Sequence, residues 1–236
     1  MTKAEFIYRV MLIMNEATMY DTQGNSYIGA DTAQIDRHIE GSYVDSWRRC
    51  AKVMPRSWLG NKILDTTTTG NHVKNLVDGT GYVVIPDDFY LLSKFKMAGW
   101  QKPVLEVSLD NERVASIQSN EFTRGSSIRP VCVIDNKVIG TDIKPVLSYY
   151  SLPKGLLTHT VEEAIYVPAV ESLKDKADDY VLTIDSRIVE PLAYLAASTV
   201  FTIFEKYEVS KALDARAEAM FPGLVSIKGT NQTNKQ

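Results

Sequence analysis

Asp87 and Asp88, two adjacent carboxylates behind Pro86, are the residues of this chain that look most like an active-site pair. Neighbouring acids can share a proton or hold a cation, which is the raw material of general acid–base or metal chemistry. Pro-Asp-Asp-Phe after a β-branched run is also what a turn carrying an N-cap looks like, and the local sequence favours that reading. His38, His72 and His159 stand in three different kinds of segment, none with a ligand at helical or loop spacing. Cys50 and Cys132 have neither a CxxC neighbour nor a histidine cluster, so they give no zinc signature and no disulfide framework. Glu162-Glu163 and Asp178-Asp179 fall in a charge-rich stretch where paired acids need no special reason. Gly79-Thr80-Gly81 precedes a strand, whereas a phosphate-binding glycine turn follows a strand and opens a helix. GxSxG, HExxH and EF-hand patterns do not occur. The expectation is that catalytic, cofactor-binding and metal-binding residues are absent and that the chain is not an enzyme. A small enzyme built on Asp87 and Asp88, with a deep pocket and metal dependence, is the third-ranked reading.

Charge narrows the partners. With 26 Lys and Arg against 29 Asp and Glu, the net charge is -3 and no long block carries one sign. A weakly acidic surface repels phosphates instead of steering them, which argues against a protein whose main task is gripping duplex DNA. Trp47-Arg48-Arg49 and Phe122-Thr123-Arg124 interleave aromatic and basic residues, but over short stretches. Arg48, Arg49, Lys52 and Arg56 make a small basic edge that reads first as a solvated face. The longest apolar runs fall well short of the ~20 residues that span a bilayer, and the N-terminus lacks a signal-peptide pattern. Synthesis in the cytoplasm without membrane insertion is expected.

The elements that would position these residues follow from periodicity. Thr2-Lys3-Ala4-Glu5 is a capping box, and Phe6, Val10, Ile13, Met14 and Ala17 line one face of the helix it opens. Turn formers break the pattern over 20–30, and a second helix runs from near Asp31 to Met54, where Pro55 ends it. The middle of the chain reads as strands at 82–85, 91–99, 103–108, 130–134 with 138–139, and 146–152. Asp135-Asn136-Lys137 is the expected hairpin turn, because Asn tolerates left-handed geometry. Residues 110–119 suit one short helix. Residues 154–179 read as a long polar surface loop with one strand at 165–167. Residues 185–221 are the most strongly patterned stretch, with an apolar stripe from Ile188 to Tyr207, then a second stripe that either continues or follows a bend. The polar end, 223–236, has nothing to bury and is expected to be a free tail. The expected fold is α+β, a helical bundle built from the N- and C-terminal helices with an inserted small β-rich module. Its expected parts are 1–60 with 183–222 for the bundle, 61–182 for the module and 223–236 for the tail.

The order of these stretches is itself informative. The paired helices of 2–54, the Tyr82-Val83-Val84-Ile85-Pro86-Asp87-Asp88-Phe89-Tyr90 run into strands, residues 119–130, and the long helix of 188–221 around Leu195-Ala196-Ala197 come in that sequence. Together they resemble the head-to-tail adaptor, or ring, proteins of short-tailed bacteriophages, closest in style to those of crAss-like phages. The resemblance implies a structural virion protein without cofactors, assembled in the host cytoplasm and located in the neck of the virion. It implies a homo-oligomeric ring, usually of twelve copies, between the portal protein and the next tail or ring protein, through which DNA passes without sequence-specific binding. The runner-up is a DNA-binding packaging accessory protein. On the adaptor reading the tail of 223–236 docks on the portal, the loops of 20–30 and 154–179 meet neighbouring subunits or the next ring, and Arg48, Arg49, Lys52 and Arg56 face acidic groups across the subunit interface.

Overall fold

A computed structural model of the chain describes residues 1–19, 32–66, 74–76, 78–107, 111–120, 122–155 and 160–221. In chain order its elements are α1 (Lys3–Met19), α2 (Thr32–Val53), β1 (Lys62–Ile63), β2 (Lys74–Asn75), β3 (Gly81–Val84), β4 (Phe89–Met97), α3 (Asn111–Ser119), β5 (Cys132–Ile139), β6 (Asp142–Tyr149), β7 (Val161–Pro168), α4 (Ser186–Ile203) and α5 (Tyr207–Ala219). The chain divides into two compact units, Met1–Gly60 with Val170–Gln236, and Asn61–Ala169.

The expected helical bundle with a small β-rich insert is corrected by this architecture. The chain is α+β, with five helices and two antiparallel sheets among the described residues; the sheets are central, and strands dominate the middle of the chain. The helices do not line up as a bundle of N- and C-terminal members. α1 and α2 touch sparingly, Phe6 lying edge-on to Tyr43 at 5.4 Å, and α1, α2 and α5 each pack on α4. The physical reason lies in α4, which is covered on all sides instead of along one stripe: Ala193, Tyr194 and Ala197 are buried together with Ile188, Leu192, Leu195 and Val200.

Local chemistry sets the ends of these helices. Thr2 and Glu5 close the capping box reciprocally, the Thr2 amide donating to Glu5 Oε2 at 2.8 Å and the Glu5 amide to Thr2 Oγ1 at 3.2 Å. Asp185 caps α4, its carboxylate accepting from the Arg187 amide at 2.9 Å. Between α4 and α5 the chain breaks at Glu205, whose φ of 60° is left-handed. The Glu205 amide bonds the Thr202 carbonyl at 3.0 Å and the Lys206 amide bonds the Phe201 carbonyl at 2.9 Å, which is a Schellman end with glutamate where glycine is usual.

In the second unit the strand orders are β1-β7-β4 and β2-β3-β6-β5. Phe95, Met97, Trp100, Leu147, Tyr149 and Tyr166 form the middle of its core. Three expectations change here. The turn placed at Asp135-Asn136-Lys137 is instead part of β5, with Asn136 opposite Pro145; the reversal comes at Gly140-Thr141, where Gly140 supplies a φ of 67°. The strand expected over 103–108 reduces to one bridge between Val104 and Phe95. The strand expected at 165–167 within the loop of 154–179 is longer, β7 running from Val161 to Pro168 as the central strand of its sheet, where Glu162 and Glu163 are satisfied by Lys96 and Lys94 on β4. The loop expected over 20–30 and the tail of 223–236 lie outside the described residues. Among the described residues no helix is long and apolar enough to cross a membrane.

Candidate functional site

Asp88 sits in the turn between β3 and β4, and the structure gives its carboxylate two donors. Lys62 Nζ on β1 lies 2.7 Å from one oxygen and the Tyr166 hydroxyl on β7 donates to the other at 2.8 Å. Burial raises the Asp88 carboxyl, but these hydrogen bonds and the Lys62 charge outweigh it and hold the pKa below the ordinary carboxylate range. The same environment, burial first and then the bond to Asp88, pushes the Tyr166 hydroxyl up to about 12. Asp88 is therefore a charged clasp joining three strands. The turn reading of Pro86-Asp87-Asp88 agrees with the Phe89 amide bonding the Pro86 carbonyl at 3.0 Å.

The other flagged residues separate. His38 meets the Phe204 ring edge-on at 5.5 Å, while His72 and His159 lie outside the described residues. Cys50 and Cys132 are buried free thiols; burial pushes Cys50 up to about 12 and Cys132 well above its ordinary value, so both stay protonated at neutral pH. Of the basic edge, Arg48 pairs with Asp45 at 3.2 Å and Arg49 with Asp214 at 3.0 Å, within the same chain. Among the described residues no group of three or more His, Cys, Asp or Glu could hold a metal ion. An open cleft of about 400 Å³ lined by Met1, Arg9, Ile184, Ser186, Val189 and Glu190 has its one ion pair, Arg9 with Glu190, already satisfied.

What the second unit displays is a surface. Past Pro145, β6 leaves β3 behind, so the distal halves of β5 and β6 form a two-stranded ribbon. Val138 and Ile143 face each other across it and are 71% and 73% exposed. On the alternate face Lys137 lies directly opposite Lys144, and Lys137 Nζ sits 5.3 Å from the Tyr82 ring centroid with Lys74 Nζ at 5.9 Å. Like charges facing each other across a ladder are unfavourable, and among the described residues Lys137 and Lys144 have no carboxylate at ion-pair distance. A further apolar group, Phe122, is 96% exposed on a loop that is tightly held. Asn120 Oδ1 accepts from the Phe122 amide at 2.9 Å, and Arg124 fastens the loop through the Gln118 and Asp78 carbonyls at 3.0 and 2.6 Å. Arg124 is thus spent on the fold, and of the Phe122-Thr123-Arg124 motif only the aromatic ring is presented. In the first unit the α4–α5 corner shows Ile203 and Tyr207, 49% and 56% exposed, beside Glu205 and Glu208.

The sequence reading missed this ribbon because it placed the turn inside β5. The signal was present in Gly140, a turn glycine standing directly after the β-branched pair Val138-Ile139. No protein-family model matches this chain, and no curated protein matches it by sequence.

Proposed function

We propose that this chain is a structural virion protein, a head-to-tail connector ring that joins the portal to the tail and extends the DNA channel. The observation that supports this best is that both compact units hold large apolar side chains out on ordered elements: Val138 and Ile143 on a ribbon, Phe122 on a fastened loop, Ile203 and Tyr207 at a helix corner. Apolar groups held in place outside the core suit binding to other proteins, because little ordering entropy remains to be lost on contact. The mild net charge of -3 suits a channel wall past which a polyanion must slide. Its partners on this reading are further copies of itself in a closed ring, the portal protein and the next tail or ring protein, in the neck of the virion. Negative-stain images of the purified chain, alone and mixed with the portal protein of the same genome, test it. Discrete rings of fixed symmetry are expected on the portal; a chain that never forms rings and never binds the portal overturns it.

A second reading, a DNA-binding packaging accessory protein, draws on Lys74 and Lys137 around Tyr82 with Lys144 beside them. It requires a gel shift on duplex DNA that weakens steeply with salt. The acidic balance of the whole chain and the exposed Asp135 and Asp142 on the same face of the ribbon work against it.

A further inference from the structure

We infer that α4 and α5 also join into one uninterrupted helix, and that the α5 released in this way docks on the α4 of a second copy while that copy's α5 returns the contact. The interaction surface is the side of α4 that α5 covers, and its occupant is the α5 of another copy of this chain. The inference does not depend on the connector reading. The break between the two helices lacks the punctuation that ends one helix and starts another. Glu205, at φ 60°, and Lys206, at φ -91° and ψ 64°, are the residues that leave helical geometry. Glutamate at the left-handed position carries a conformational penalty that glycine would avoid, and α5 then opens at Lys206 without a side-chain cap. Neither proline nor glycine occurs from Leu192 to Phe221, so local preference favours one continuous helix. Spacing agrees with this. Ala196, Ile203, Ser210 and Ala217 fall at heptad steps, so the face that α5 buries keeps phase with the apolar stripe of α4 across the corner. Two helices that only ever pack separately have no reason to keep phase.

The contact that holds α5 back on its own α4 is thin and is reproducible by a second copy. α5 buries Ser210, Leu213 and Ala217, with Phe221 just beyond its end. At its centre is a hydroxyl cluster, Ser210 Oγ lying 2.9 Å from Ser198 Oγ and 2.8 Å from Thr202 Oγ1. Arg216 sits over the Tyr194 ring at 6.0 Å, and Asp214 pairs with Arg49 on α2 at 3.0 Å. The α4–α5 pairs 194–216, 198–210 and 202–210 are all centred on residue 205 or within a residue of it. Two straightened helices laid antiparallel therefore remake these contacts between copies, with a two-fold axis at the former corner. Each copy recovers what it gave up and sheds the left-handed glutamate. A short connection under strain favours such an exchange, and the contact is self-complementary, so it closes at two copies.

Paired cysteines distinguish exchange from simple association. Ser198→Cys with Ser210→Cys in one full chain places two thiols across the α4–α5 contact, and the chain's own Cys50 and Cys132 are buried. This variant is refolded from urea at high concentration, separated by size, oxidised and run on a denaturing gel without reductant. The dimer fraction is expected to run as a covalent dimer, and the monomer fraction as a single chain closed on itself. Substitutions at the corner should move the proportion of dimer in opposite directions. Glu205→Gly suits the left-handed position and disfavours a helix interior, so it should lower that proportion at least tenfold. Glu205→Ile, a β-branched residue that the left-handed position rejects, should raise it severalfold. A dimer fraction that runs as single chains on the gel overturns the inference, because its copies then lie side by side with each α5 on its own α4. A ladder of covalent trimers and larger species overturns the reciprocal pairing. Parent and Glu205→Ile chains that both stay monomeric at every concentration overturn it too, as does a dimer proportion that Glu205→Gly leaves unchanged.

Discussion

Asp36 lies one helical turn before Glu40 on α2, close to a buried cation whose charge is already shared. Lys3 Nζ, almost wholly buried, pairs with Glu40 at 2.7 Å, donates to the Lys176 carbonyl at 2.7 Å and has Asp178 at 3.9 Å. Burial, then Glu40 and Asp178, raise the Asp36 carboxyl above its ordinary 3.8 against the opposing pull of Lys3, and its buried Oδ1 lacks a hydrogen-bond partner. A carboxyl whose folded-state value exceeds its unfolded value binds its proton more tightly in the folded chain. Its stabilising contribution is therefore complete below 3.8 and is lost as pH rises through the raised folded value. Asp36→Asn, which removes the charge and adds a donor, is expected to stabilise the chain at pH 7 by about 0.5 kcal/mol, the scale of one i,i+4 repulsion. The gain should shrink as pH falls through the raised folded value, where Asp36 in the parent chain takes up its proton. Urea melts at pH 7 and at a pH below 3.8 decide it, and equal stability of parent and variant at pH 7 would count against the repulsive arrangement. This cluster could not be read from the sequence, because Lys3 and Asp178 meet only when the 170–180 segment lies across the start of α1, the Lys3 amide bonding the Tyr180 carbonyl at 2.8 Å.

At the scale of elements, two glycines separate packing from propensity. Gly81 on β3 pairs with Tyr149 on β6, and a Cβ there would lie 2.2 Å from the Tyr149 hydroxyl. That hydroxyl donates to Asn75 Oδ1 at 2.8 Å, and the Tyr149 ring packs on Phe95 and Trp100, so it has little room to yield. Gly81→Ala is expected to destabilise the chain by about 2 kcal/mol, as overpacking of a core does. Gly41, exposed on α2 with nothing within 4 Å of its Cβ position, should behave oppositely, Gly41→Ala adding about 1 kcal/mol through helix propensity. Thermal melts of the two variants should move in opposite directions; a loss at Gly41 or a gain at Gly81 would contradict the packing described. Elements whose signals are local were legible: the Thr2–Glu5 box and the second helix ending before Pro55. Those whose signals are cross-strand were not. The charges of Glu162 and Glu163 read as loop until Lys96 and Lys94 stand beside them, and Asn136 reads as turn until Pro145 faces it. The α4–α5 break stayed ambiguous because glutamate holds the position that glycine would have announced.

At the scale of the whole molecule, the middle of the chain is built to close on itself. β1 pairs antiparallel with β7, Lys62 opposite Tyr166 and Ile63 opposite Ile165, so the entry and exit of the unit Asn61–Ala169 are joined by a ladder. The Asp88 clasp reinforces that closure through Lys62 and Tyr166, and the Ala169 amide bonds the Asp88 carbonyl at 2.6 Å. The two sheets bury a core of their own, from Leu64 and Val83 through Phe95, Trp100 and Leu147 to Tyr166. A segment with its own core and adjoining ends meets the physical requirements for folding alone. The excised fragment 61–169 is therefore expected to be monomeric and to unfold cooperatively, with the near-ultraviolet circular dichroism of packed Trp100 and Tyr149. Asp88→Ala should cost the fragment about 1 kcal/mol, because it leaves the Tyr166 hydroxyl without its acceptor while the exposed Lys62 ammonium turns to water. The same substitution tests whether closure matters: if fragment stability is unchanged by Asp88→Ala, the ladder alone holds the ends. A fragment lacking any cooperative transition would show that the second core depends on the rest of the chain.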